Sequence, residues 1–282
     1  MITIIRDYES VMLEDNIESF EDDYNHSIEC LPIKRDNLVS LLSNAIKICQ
    51  WWSFDLTDEN KQKSIKALKL AAKAGEAIFR LGREPEKEQR VVIDELLDAT
   101  YNGKGMLWEG GFLHAGRWQQ AFFCAAIVRD QDAMDSLAKF PVSVMRQCST
   151  TSSEAEYALV ELIQGIHRRV SNDEGLALLG KALEAAKLDT TDPWVNYCTS
   201  AKTDFILTFI MKGKGSPSTA LADALNDSWE YHERFCDKGY EQPNFYMPIV
   251  LLGLTCMAKD YGNELNVQSD FIPQFYIDGD YL

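Results

Sequence analysis

Histidine, paired cysteine and long apolar runs are scarce in this chain of 282 residues, and each scarcity excludes a class of protein. The four histidines, His26, His114, His167 and His232, include no two at i, i+4. His232 has Cys236 four residues on, but two ligands on one helix fall short of the three or four that zinc takes, so no metal site is expected. The seven cysteines (Cys30, Cys49, Cys124, Cys148, Cys198, Cys236 and Cys256) are odd in number and never form a CxxC. Thiols scattered through apolar helical segments suit a reduced cytosol better than a disulfide framework. The longest uncharged apolar run, Phe245 to Ala258, is broken by Pro248 and is shorter than the ~20 residues of a membrane span. Arg6, Asp7 and Glu9 precede any apolar stretch, which does not fit a signal peptide. A cytoplasmic protein with no membrane association is expected.

Positive charge is also in short supply. Lysine and arginine total 28 against 44 aspartates and glutamates, for a net charge of -16. Residues 1–30 hold nine acids and one base; residues 220–282 hold eleven acids and three bases; the stretch between them is balanced. Both ends therefore carry the whole excess. Such a surface repels nucleic acid and anionic lipid, so neither is expected as a direct partner. It reads either as solvated helix faces that keep the protein soluble or as a docking surface for a basic protein, whose approach opposite charge would accelerate.

Catalytic signatures are missing as well. Lys212-Gly-Lys-Gly-Ser216 lacks the spacing of a phosphate loop and follows no strand. No nucleophile motif of the Gly-x-Ser-x-Gly or Ser-x-x-Lys kind appears in a supporting context. His114, beside Gly116, Arg117 and Trp118 and next to a glycine-rich loop, is the one polar-aromatic cluster, and packing at a helix start is its expected use ahead of a small pocket. No catalysis and no cofactor are expected.

What the chain does have is helical periodicity nearly throughout. Tyr8, Met12, Ile17, Phe20 and Tyr24 make one face; residues 36–54 read as a helix starting at Asp36; Asp58 is expected to cap a long helix to Leu81. Pro85 is expected to open another helix through Leu97. Trp118, Ala121, Phe122, Ala125 and Ala126 follow i, i+3, i+4, i+7, i+8, and a short helix from Asp130 ends at Pro141. Further helices are expected at 153–170, 173–187 (capped by Asn172 or Asp173), 193–211, 218–237 and 245–260, with a short extended piece at Leu265 and Val267. The fold class is all-α, an irregular antiparallel array or bundle. No linker of Pro, Ser and Gly divides it, so 1–282 is expected to be one domain, with an acidic helix in 1–30 and a helical core in 31–282.

Two acidic clusters stand out. Asp223, Asp227, Glu230, Glu233 and Asp237 step by four, three, three and four, which places five carboxylates along one side of one helix. Like charges at these spacings each cost an isolated helix about 0.2–0.5 kcal/mol. Glu14, Asp15, Glu18, Glu21, Asp22 and Asp23 form the second cluster. Both are candidates for partner binding.

Three segments resemble a known family: Ala74-Gly75-Glu-Ala77-Ile-Phe79; Gly116-Arg-Trp118-Gln-Gln-Ala121-Phe122, running to Arg129-Asp-Gln131 and Pro141; and Leu251 to Ala258, Gly262 and Val267-Gln-Ser-Asp-Phe-Ile-Pro273. Their order and spacing resemble immunity-protein family 49 of bacterial polymorphic toxin systems over roughly residues 70–275. The resemblance implies a non-catalytic protein that binds and neutralises a cognate toxin. The acidity fits a basic toxin, such as a nuclease. A non-catalytic helical adaptor or scaffold is the alternative.

Overall fold

The computed structural model describes residues 1–5, 13–189, 191–211, 213–236 and 243–281, with the side chains of 13–16 and 243–244 outside that description. The chain is all-α with a few short strands, and its contacts divide it into two compact units, residues 7–151 and residues 152–282 together with 1–6.

In the first unit, α1 (Leu13–Cys30), α2 (Asn37–Trp52), α3 (Asp58–Arg83) and α4 (Ala115–Ile127) form the core, followed by the short α5 (Gln131–Leu137) and α6 (Val142–Met145). The long α3 is capped by Thr57, whose side chain accepts from Asn60 N–H; Asp58, expected as the cap, lies inside the first turn. Asp58 and Glu59 at its start and Arg80 and Arg83 at its end oppose the helix dipole. At the start of α2, Asp36 holds the cap position without a capping bond, and its carboxylate accepts from the Arg35 guanidinium instead.

The helices α3 and α4 approach closely at Gly75. A Cβ added at Gly75 would lie 2.4 Å from the Ala121 Cβ and 3.0 Å from its Cα. One turn on, Phe79 meets Phe140 edge to face, with ring centroids 5.0 Å apart. The Trp118 ring stacks on Phe122 at 4.7 Å, and its indole N–H donates to the Leu137 carbonyl at 2.9 Å. The first two segments that carry the family resemblance thus form one packing node.

The expected helix from Pro85 to Leu97 is not there. Its place is taken by a hairpin of β2 (Gln89–Ile93) and β3 (Leu97–Tyr101), antiparallel, with Ile93 opposite Leu97. Val91 and Ile93 are buried and Arg90 and Val92 exposed, the alternation of a strand covering a core on one side. Stiff β-branched side chains favour that geometry. Asp94 turns the chain at φ 44° and pairs with Lys73 of α3, while Arg90 clasps Asp98 through two bonds of 2.7 and 2.6 Å.

In the second unit, α7 (Glu154–His167) begins in a capping box between Ser153 and Glu156 and pairs with α8 (Asn172–Leu188). The cap of α8 is Ser171, not Asn172 or Asp173. A π turn at Val195–Thr199 leads into α9 (Ser200–Ile210); α10 (Pro217–Phe235), α11 (Pro243–Tyr246), α12 (Ile249–Asp260) and α13 (Gln274–Asp278) complete the helices. The extended piece expected near Val267 is β4 (Val267–Ser269). It pairs in parallel with β1 (Ile2–Ile4), a strand the helical reading left out. Tyr276, in the aromatic tail, is fully buried.

Gly75→Ala should therefore lower stability by about 1–3 kcal/mol, the cost of overpacking, whereas at an open helix position the same change gains up to ~1 kcal/mol. Adding Ala121→Gly should recover part of the loss in urea unfolding, because the two positions share one contact.

Candidate functional site

The acidic helix of the C-terminal half is α10. Ser216 caps it by accepting from Thr219 N–H at 3.3 Å, and Pro217 occupies its first position. Leu221, Ala222, Ala224, Leu225 and Ser228 are buried and hold the helix in place. The carboxylates fall on the other side but do not form a uniform row. Asp223 and Glu233 are exposed and Asp227 is half-buried. Glu230 is taken up by Arg234, one turn on, at 2.5 Å. Asp237 lies outside the described residues.

The tertiary structure adds a carboxylate from another helix. Ala201 and Asp204 of α9 face Ala220, Asp223, Ala224 and Asp227 of α10 across an open groove of about 380 Å³. The alanines leave the space and the three aspartates line it. Burial raises the Asp227 carboxyl above its ordinary value, and the neighbouring charges of Asp223, Glu230 and Asp204 add to the effect. Partial burial raises Asp204 too, with Lys187 opposing. A groove in which Asp204 and Asp227 hold their protons harder than usual is suited to a lysine or arginine side chain, which would relieve the repulsion. Among the described residues no group of three or more His, Cys, Asp or Glu is arranged to hold a metal ion.

The N-terminal acidic cluster, on α1 of the other unit, divides differently. Glu18, Asp22 and Asp23 are exposed. Glu21 serves the fold: it accepts from the Trp52 indole N–H at 2.8 Å and lies 3.7 Å from Lys63 Nζ. The side chains of Glu14 and Asp15 lie outside the described residues.

His114 is the cap of α4, accepting from Arg117 N–H at 3.4 Å. Burial, with the Arg117 charge beside it, pushes its imidazole from 6.5 down to about 4. It packs the helix start, as its sequence setting suggests. Five of the seven cysteines are buried, with Cys30 and Cys236 half-buried, and no disulfide occurs among the described residues.

Residues 55–276 match the family Immunity protein 49. The chain belongs to this family. No curated protein and no solved structure matches it. The match covers all three resemblance segments, α9 and α10, and begins after α1 and α2. Membership of an immunity-protein family implies a non-catalytic protein. Among the described residues no helix is long and apolar enough to cross a membrane.

Two measurements test the electrostatics. Asp227 is destabilising once ionised, because its folded-state pKa is raised. Asp227→Asn should raise the melting temperature at neutral pH, and the gain should vanish as pH falls below the ordinary 3.8. For His114 the folded value is the lower one, so the unfolded chain binds the extra proton and stability falls as pH drops from 6.5 to about 4. His114→Asn, which keeps a capping acceptor, should flatten the melting temperature across that window.

Proposed function

We propose that this family member protects the cell that makes it by binding a cognate protein toxin in the cytoplasm, through acidic surface that meets a basic face of the toxin. The observation that carries this reading is the groove of Asp204, Asp223 and Asp227, which lies inside the family match and gathers three carboxylates, with Lys187 opposing at Asp204 alone. A nuclease, whose own nucleic-acid site is basic, is a fitting toxin. The family match runs across the boundary between the two units, which supports reading them as parts of one immunity domain. The exposed Glu18, Asp22 and Asp23 offer a secondary acidic contact.

A toxin gene immediately upstream would favour this reading, and its toxin domain is the partner to test. Wild-type protein should rescue cells that express it and bind it in vitro. Reversal at Asp223, Asp227 and Glu233 to lysine should slow association about tenfold or more at low salt and flatten its salt dependence, since rim charges act mainly on the rate of encounter. Glu230 is left alone because its reversal would break the bridge to Arg234. Full protection by a variant also reversed at Glu18, Asp22 and Asp23, or binding that strengthens with salt, would overturn the reading. A broad set of host partners with no toxin among them would favour an adaptor instead.

A further inference from the structure

Beside the acidic groove, the C-terminal half of α10 carries a different surface. Phe235 is 48% exposed although it is a large apolar side chain on a packed helix. Its ring lies 5.3 Å from Tyr231 and 5.7 Å from Tyr197, and Tyr231 in turn meets Trp194 edge to face at 5.3 Å. Trp194, Tyr197 and Tyr231 are all partly open to solvent. Arg234 closes the group: its guanidinium lies 5.9 Å from the Tyr197 ring centroid and donates to the Tyr197 hydroxyl at 3.1 Å.

These side chains are held before any partner arrives. Trp194 has the buried Lys202 ammonium 4.8 Å from its ring, and its backbone N–H donates to the Asp192 carboxylate at 2.9 Å. Tyr197 sits in the π turn, a geometry that recurs at functional sites, and is tied to α10 through Arg234. Tryptophan, tyrosine and arginine dominate the energetic centres of protein interfaces, and rigid aromatics lose little entropy on binding. The surroundings are acidic: Asp192 acts on Tyr231, Glu230 pairs with Arg234, and Asp227 and the exposed Glu233 lie on the same helix.

We propose that Trp194, Tyr197, Tyr231, Arg234 and Phe235 form the apolar centre of the toxin interface, with the α10 carboxylates as its rim. The occupant is a basic toxin that presents an apolar side chain ringed by lysine and arginine. This rests on the toxin-binding reading above and assigns the two parts of the surface different jobs. Carboxylates set how fast the complex forms, and the aromatic centre sets how long it lasts.

The test is binding kinetics with the purified toxin domain from the upstream gene. Phe235→Ala and Tyr197→Ala should each speed dissociation at least tenfold while leaving the association rate and its salt dependence unchanged. Phe235→Tyr should dissociate like wild type. Hydrogen exchange on the unmodified complex should show protection over 194–198 and 228–236, and this decides the matter if an alanine variant fails to fold. Wild-type dissociation by both alanine variants, or no protection of those segments in a tight complex, overturns the proposal and leaves toxin binding standing. No binding by wild-type protein overturns both. A toxin-free dimer that Phe235→Ala dissociates, with toxin binding unaffected, would assign the surface to a second copy of the chain and overturn the proposal.

Discussion

The absence of a side chain at Gly75 sets the spacing on which the first unit depends. With only a hydrogen there, α3 comes near enough to α4 for Ala121 to fill the space, and a methyl group would collide with both its Cβ and its Cα. That spacing lets Phe79 reach Phe140 and keeps Trp118 within hydrogen-bonding distance of the Leu137 carbonyl. Interiors packed to crystal density transmit a displacement at one contact to its neighbours. The small residues of the two segments and the aromatics beside them therefore belong to one constraint.

In the second unit, α10 answers two demands. Leu221, Ala224 and Leu225 bury one side. The other side gathers like charges that an isolated helix would disfavour. Relief is uneven. Arg234 compensates Glu230, whereas Asp204 adds a third carboxylate to the groove that Asp223 and Asp227 already line. The like charge is concentrated in one place, and a local conflict that the rest of the helix does not share is the mark of a site shaped by something other than stability.

Much of this was legible from residue order. The helices α2 and α12, the apolar faces of α3 and α4, a helix start at Asp130 and the helix-start role of His114 follow from spacing and residue type. The stretch Pro85–Leu97 misled, because a short apolar run such as Val91-Val92-Ile93 fits a helix or a strand equally well by periodicity, and its β-branched residues found a partner in Leu97–Tyr101. The caps are Thr57 and Ser171, where residue order pointed to Asp58 and to Asn172 or Asp173. Those acids sit inside the first turn, where they favour the helix dipole, while the hydroxyls make the bond.

Residue order by itself determined the helical class, the placement of charge at the two ends and the family to which the chain belongs, because each is written in local spacing or composition. Tertiary structure alone decided which acids are available. It brought Asp204 to Asp223 and Asp227, committed Glu21 to the Trp52 indole, gathered Trp194 and Tyr197 beside Phe235, and laid Ile2–Ile4 along Val267–Ser269. All of these pairings join residues many positions apart, and helical or strand periodicity carries no information about which distant faces meet.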